Sequence, residues 1–269
     1  MRWSIRLDYT LLFKVTDIPL GEKIWLIVLK YMVYIKNTFT GFRRGISNVT
    51  VFKRKYYYGD VYGIASLQRV YCEHYVLKKY FDGAPIVIDV GANIGQFNFF
   101  CRHYLRAERV VSIEPLPDSF ELLKLNAVAP GDCLNAIIST DTAKRTLYVA
   151  GNSGALSTYI KDEREAYERK LTIRSLKLDD VEQASTLQRI DLLKIDTEGS
   201  EFDVLVSAEK SLNHISFITI EMSVLRSASG NFIAIGNYLE KMGFNVVSLK
   251  PHRGYYPFGI EGIFKRGSR

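Results

Sequence analysis

Val87-Ile88-Asp89-Val90-Gly91-Ala92-Asn93-Ile94-Gly95 reads as the end of a buried strand running into a tight turn. Apolar residues surround a single acid, as expected of a strand covered on both faces. Gly91 and Gly95 give the turn backbone freedom and let main chain approach a ligand closely. Gln96 to Arg106 reads as a helix leaving the turn. The next apolar run, Val110-Val111-Ser112-Ile113, ends at Glu114. That is about twenty residues on, where an acid in this kind of unit grips ribose hydroxyls. A glycine turn alone is a weak signal. Strand, turn, helix, strand and acid together describe a nucleoside pocket.

Around this unit the pattern alternates. Strands are predicted at 86–90, 109–113, 134–138, 190–195, 216–222, 244–249 and 260–264. Helices are predicted at 95–106, 118–127, 199–212 and 231–242, with another over 63–81 that delivers the chain to the first strand. Such alternation implies a parallel sheet with helices on both faces. Residues 143–178 break the rhythm: 146–149 and 171–173 read as strands and 151–154 as a turn, so the stretch is a β insertion. The last two strands are joined by a loop too short for a crossover helix and must form an antiparallel hairpin. A mostly parallel, Rossmann-like α/β sheet whose last strand is antiparallel is typical of class I methyltransferases and unlike most NAD dehydrogenases.

A chain of 269 residues accommodates one α/β domain, 61–269, behind an N-terminal extension, 1–60. The apolar share of 47% excludes wholesale disorder. The net charge of +7 suits nucleotides, sugar phosphates, acidic glycans, membrane surfaces or RNA, and equally serves solubility. Cys72, Cys101 and Cys133 are widely spaced without a C-x-x-C, so a reducing, cytoplasmic setting is expected rather than a disulfide framework or zinc site.

The extension is basic and aromatic. No secretory signal is evident at its start. Its apolar stretch 24–35 is interrupted by Lys30 and too short to span a bilayer. It reads as a helix apolar on nearly every side, buried in a core or subunit interface or resting on a membrane. Peripheral membrane contact through 24–35 and a homo-oligomer both fit such a helix. Tyr56-Tyr57-Tyr58 forms either a stacking surface or part of the packing.

A second acidic cluster follows the fourth strand, Asp191-Leu192-Leu193-Lys194-Ile195-Asp196-Thr197-Glu198-Gly199-Ser200-Glu201. Alternation puts Lys194 and Asp196 on one side of the strand. Asp196 and Glu198 fall at its carboxyl end, where open α/β sheets bind ligands. Glu198 and Glu201 also suit the start of a helix. Glu221 ends the fifth strand at the same edge. Hard cations take oxygen ligands, but no His or Asn lies at suitable spacing and no metal is assigned. His74, His103 and His214 fall on predicted helices and read as structural, whereas His252 lies in a loop at the ligand edge.

Asp-Val-Gly-Ala-Asn-Ile-Gly at 89–95, Ile-Glu-Pro at 113–115, Leu-Leu-Lys-Ile-Asp-Thr-Glu-Gly-Ser-Glu at 192–201 and Glu221 resemble the FkbM-type methyltransferases. The resemblance covers roughly residues 60 to 265. It implies S-adenosylmethionine as cofactor and a hydroxyl of a sugar, glycan, glycolipid or natural product as acceptor. By this resemblance Asp89, Gly91, Asn93 and Gly95 shape the cofactor pocket, and Glu114 holds the ribose. Asn135 to Ser139 line its flank, and Asp132 is either an adenine contact or a turn aspartate. Asp196, Glu198 and Glu221 are candidates for base or acceptor-orienting group, with Lys194 balancing their charge. Glu201 and His252 are candidate acceptor contacts.

Two other functions are weighed. An RNA- or N-directed methyltransferase fits the charge, but base-methylating enzymes often carry an Asn-Pro-Pro-Tyr-like block after the fourth strand, where this chain has Asp-Thr-Glu-Gly. Nucleic acid is therefore not the expected partner. A non-catalytic nucleotide-binding, membrane-associated module fits the extension but leaves the acidic cluster unexplained.

Overall fold

The computed structural model describes residues 2–40, 45–150, 156–161, 166–223, 231–252 and 259–267. Two helices come first, α1 (Arg2–Phe13) and α2 (Leu20–Thr40), then a hairpin of β1 (Ser47–Val51) and β2 (Arg54–Tyr58). α3 (Val61–His74) starts at Asp60, whose side chain accepts from Gly63 N, and ends in a 3-10 turn at Tyr75–Tyr80. The sequence reading anticipated α3 and the middle of α2 but neither α1 nor the hairpin. In β2, Tyr56 and Tyr58 are buried, so this run packs the core rather than forming a stacking surface.

The unit predicted from the glycine turn follows. It comprises β3 (Ile86–Val90), α4 (Gln96–Phe100) continuing as a π turn Cys101–Leu105, and β4 (Arg109–Ile113). Next come α5 (Pro117–Asn126), β5 (Cys133–Leu134) and β6 (Ile137–Ile138). The predicted strand 134–138 is thus two pieces in different sheets: β5 pairs with β4, and β6 pairs with β9 (Arg169–Leu176). At the break, the Asn135 side-chain amide donates to the carbonyls of Glu114 and Pro115 at 2.9 Å, and the ladder ends there. The insertion is β7 (Lys144–Ala150), β8 (Leu156–Thr158) and β9, joined to β6 as a four-stranded sheet. The turn expected at 151–154 lies outside the described residues.

After α6 (Glu182–Ser185) the chain returns to the main sheet through β10 (Ile190–Ile195), α7 (Glu201–Ser207) and β11 (Ile215–Ser223). α8 (Phe232–Lys241), capped by Asn231 onto Ala234 N, leads to β12 (Phe244–His252) and β13 (Gly259–Arg266). The seven-stranded order is β12-β13-β11-β10-β3-β4-β5. The run β11-β10-β3-β4-β5 is parallel, and β13 is antiparallel to both of its neighbours. The reversed last strand is as predicted; it sits between β11 and β12 rather than at the edge.

Two cores cover the sheet. Ile88, Leu193, Ile218 and Phe264 face the layer containing α7 and α8. Val87, Leu192, Phe217 and Ile263 face the other, which also holds Leu7 and Leu11 of α1, Leu26 and Leu29 of α2, and Tyr71 of α3. The extension therefore packs on α3 and continues the core of that face outward. No helix among the described residues is long and apolar enough to cross a membrane.

The glycine turn is constrained by main chain more than by any ligand. Gly91 has φ +80°, and a Cβ there would stand 1.8 Å from the carbonyl oxygen of Asp196. Gly91→Ala is expected to destabilise the fold by roughly 3 kcal/mol or more, combining a left-handed strain with a backbone overlap. Gly236→Ala, with nothing within 4 Å of a new Cβ on α8, is expected to change stability by at most about 1 kcal/mol, in the stabilising direction. Denaturant unfolding of the two variants checks both.

Candidate active site

The parallel strands leave β3 in both directions: chain order runs β3, β4, β5 to one side and returns with β10 on the other. Ligands in open α/β sheets bind at such a reversal, beyond the carboxyl ends of the strands. A crevice with about 650 Å³ of empty space, mouth included, lies at that point. Gly91 and Asn93 line it after β3, Glu114 after β4, and Ala136 to Ile138 around β6. Asp196, Thr197 and Glu198 line it after β10, and Thr158 and Tyr159 of the insertion face it as well.

Glu114 is buried at the crevice wall. Its Oε2 accepts from Asn93 N and its Oε1 from Leu116 N, both at 2.8 Å. Burial pushes its carboxyl up to about 7, against the pull of those two N–H groups. Each oxygen keeps a lone pair for a further donor. Asn93 has φ +49°, a left-handed conformation that asparagine tolerates, and its backbone thereby meets Glu114. The residues fit a nucleoside: a carboxylate with two free lone pairs, beside a turn whose backbone lies open to the crevice.

Lys194 organises the neighbouring rim. Its Nζ lies 3.1 Å from Asp89 Oδ1 and 3.5 Å from Asp196 Oδ2, and donates to Gly91 O at 2.9 Å. Asp89 is wholly buried and faces this lysine as its counter-charge. Burial alone would lower the ammonium's pKa, but Asp89 and Asp196 hold it above the ordinary value. The lysine is charged.

Alternation continues this polar patch across the sheet: Asp89, Lys194, Thr219 and Glu261 share the face that carries Val87, Leu192, Phe217 and Ile263 further down. Glu221 stands at the end of the same row. Withdrawal from water, then the charges of Asp196 and Glu198, push it well above the carboxylate range against the opposing pull of Arg69. It is not among the residues lining the crevice.

The turn after β10 is held in a strained form. Glu198 has φ +56°, which costs roughly 1–2 kcal/mol for a residue with a side chain, and Gly199 follows at φ +120°. Glu201 supplies the restraint: its Oε1 accepts from Gly199 N at 2.8 Å and from Thr197 N at 3.2 Å. That carboxylate oxygen faces its own loop and braces it. Asp132 lies elsewhere. Both its oxygens accept from Arg109 Nε at 3.1 Å, and it does not line the crevice. Gly95 has φ +90° and packs against Leu123 and Asn126 of α5, behind the crevice. The His252 side chain lies outside the described residues.

Sequence reasoning missed the contribution of α3. Arg69 Nε donates to both Glu73 oxygens, and its charge is also felt by Glu221 and Asp196. His74 Nδ1 is 2.9 Å from Glu261 Oε1. His74 therefore belongs to the polar patch, whereas His103 is structural, stacked on Phe52 at 4.2 Å with its pKa lowered to about 4 by burial. A visible signal existed in Glu261, an isolated acid in an apolar strand.

Residues 89–246 match the family described as Methyltransferase FkbM domain. The chain is 26% identical over 237 residues to the 31-O-demethyl-FK506 methyltransferase FkbM of Streptomyces tacrolimicus, covering 76% of this chain and 86% of that one. It is 25% identical over 143 residues to the hexuronic acid methyltransferase AglP of Haloferax volcanii, covering 51% and 55%. A crystal structure of Methyltransferase FkbM from Methylobacillus flagellatus KT aligns with a TM-score of 0.46 at 14% identity, over 75% of this chain and 54% of that one.

Removing the cation alone should expose the cost of the buried carboxylate. Lys194→Met is expected to lower stability by about 3–5 kcal/mol near neutral pH, and adding Asp89→Asn should recover part of it. In the single variant, Asp89 has lost its counter-charge and its pKa rises further. A raised carboxyl pKa favours the fold at low pH and costs stability as pH rises, so the deficit should shrink on acidification. Unfolding curves across pH check this.

Proposed function

Because the chain belongs to the FkbM methyltransferase family, we propose that it methylates a hydroxyl oxygen on a sugar-bearing acceptor: a glycan, glycolipid or glycosylated natural product. The methyl donor is S-adenosylmethionine. When bound, it supplies a methyl group on a sulfonium with a good leaving group. One observation carries the choice of acceptor chemistry: Asp196 and Glu198 line the same crevice as Glu114 and Asn93. A hydroxyl losing its proton during transfer would then have a carboxylate beside it. The names of the two relatives, a hexuronic acid methyltransferase and a 31-O-demethyl-FK506 methyltransferase, support this reading.

The roles follow from the surroundings of each side chain. Glu114 grips the ribose diol with the lone pair left on each oxygen. Asp196 is the base: its side chain is 39% exposed and Lys194 at 3.5 Å balances its charge. Glu198 orients the acceptor from the strained turn. Glu221 is pushed well above the carboxylate range by burial and by the charges of Asp196 and Glu198 and does not line the crevice, so it ranks behind Asp196 as the base. Alignment of acceptor and methyl group contributes about 7–11 kcal/mol in such reactions, and a general base roughly 3–5 kcal/mol. Positioning dominates.

Two measurements test the assignment. Gripping the diol favours ionised Glu114, so binding of S-adenosylhomocysteine should release a proton below pH 7. Affinity should then weaken by up to about tenfold per pH unit below the Glu114 pKa of about 7. Glu114→Gln should bind more weakly and flatten that profile; calorimetry in buffers of different ionisation heat reads both. A slope surviving in the variant would assign the proton to another group.

For chemistry, the acceptor is found by comparing mass spectra of glycans and lipids from cells with and without the protein, seeking the mass of one CH₂. With that acceptor and labelled cofactor, Asp196→Asn should lower kcat by about 10²–10⁴ while leaving cofactor affinity unchanged. Full turnover in this variant would remove Asp196 as the base, and a methylated nitrogen in the product would remove the hydroxyl acceptor.

A further inference from the structure

α2 is apolar on two opposite sides. Leu26, Leu29 and Val33 are buried against the domain. Ile24, Val28, Tyr31, Met32, Ile35 and Phe39 recur at helical spacing on the other side, each at least 40% exposed. α1 repeats the arrangement: Leu7 and Leu11 are buried, while Ile5, Tyr9 and Phe13 are 54–70% exposed at four-residue intervals. The helices are tied side by side, Asp8 accepting from Lys30 Nζ at 2.5 Å and from Tyr31 Oη at 2.8 Å. Singly scattered exposed apolar residues need no explanation; two adjacent helices with outward apolar stripes do.

The lysines that interrupt this stretch in sequence do not interrupt the outward face. Lys30 is buried and turned to Asp8. Lys23 is buried too, and donates to Leu12 O at 3.2 Å and Val15 O at 2.5 Å, satisfying carbonyls at the end of α1. The exposed cations sit beside the apolar stripes instead. Trp25 Nε1 donates to Thr50 O at 2.8 Å, tying α2 to the hairpin whose turn presents exposed Lys53, Arg54 and Lys55. Residues 1–60 carry eleven Lys and Arg against four Asp and Glu, whereas 61–269 carry twenty-five of each sign. The whole excess of +7 lies in the segment that bears the apolar face.

We propose that the outward face of α1 and α2, with the basic β1–β2 turn beside it, docks on an anionic lipid surface, the helices lying in the plane of the interface. An apolar stripe with aromatic residues and a cationic border is the composition such helices use. The alternative occupant, a second copy of the chain, would set two segments of like charge against each other in a two-fold interface. Anionic headgroups attract the same charges. This surface is separate from the crevice, and its test does not depend on the reaction assigned there.

The experiment is flotation of the full chain with vesicles of phosphatidylcholine alone or mixed with phosphatidylglycerol. Both tryptophans, Trp3 and Trp25, belong to α1 and α2, and Trp25 is 45% exposed, so tryptophan fluorescence reports on these two helices. Expected results are co-flotation with the anionic vesicles, a blue shift with protection from acrylamide, and loss of binding as salt rises. The triple substitution Val28→Asp, Met32→Asp, Ile35→Asp should weaken binding by at least about tenfold with unchanged circular dichroism. Phe39→Asp, at a residue 84% exposed, serves if the triple variant does not fold. Lys53→Glu, Arg54→Glu, Lys55→Glu should remove the preference for anionic vesicles.

A chain that stays in the aqueous fraction at low salt, or floats equally with neutral vesicles, overturns the proposal. So does a dimer seen by light scattering that the apolar substitutions abolish while no vesicle binding is found; the face would then belong to a second copy.

Discussion

The ammonium of Lys194 is the point on which the site depends. It meets three acceptors from three segments: a carboxylate inside β3, a carbonyl in the glycine turn and a carboxylate after β10. The turn after β3 and the turn after β10 form the two sides of the crevice, and this cation ties them at a fixed separation. Main chain fixes Gly91 at the same junction, since the carbonyl of Asp196 occupies the space a side chain would need. A buried charge pair is weak evidence for net stability. Its value here is geometric, because removing the cation leaves both carboxylates without the charge that joins the two turns.

The strain in the rim belongs to the same construction. A glutamate in a left-handed conformation persists only where its surroundings over-determine it. Glu201 provides that by collecting the N–H groups of Thr197 and Gly199, directly flanking Glu198. The acidic run after β10 thus divides its labour. Glu201 shapes the turn, Glu198 is presented by it, and Asp196 stays with the cation.

Much of this was legible in the sequence because period and punctuation coincide. The strand-turn-helix-strand unit at 86–113 and the reversed final strand follow from alternation, glycine placement and loop length, all local properties. Asn93, Glu114, Asp196 and Glu198 could be put at one sheet edge for the same reason. What was not legible depends on contacts between distant segments. Asp132 and Glu201 look alike by type and spacing, yet Arg109 pairs with the first and the N–H groups of its own turn bind the second. The break in the strand at 134–138 comes from Asn135 reaching two carbonyls twenty-one and twenty residues away. Arg69 and Glu73 enter because α3 packs over the polar end of the sheet, which no periodicity announces.

The extension shows the same limit more sharply. A helix apolar on all sides suggests complete burial, and a lysine within it suggests an interruption. Both inferences treat the helix as isolated. Once α1 lies beside α2, the inward polar positions are used up by Asp8 and by the carbonyls at the end of α1, and the helix keeps two apolar sides with different fates. One side continues the core outward from α3, so the extension cannot be detached without uncovering the side of α3 where Gln68 bonds to Asp8 and Cys72 to Leu7 O. The other turns outward, its apolar side chains from Ile24 to Phe39 40–84% exposed. A segment bound so firmly on one side presents its outward stripes as a preformed surface, whose ordering cost was met in folding rather than in binding.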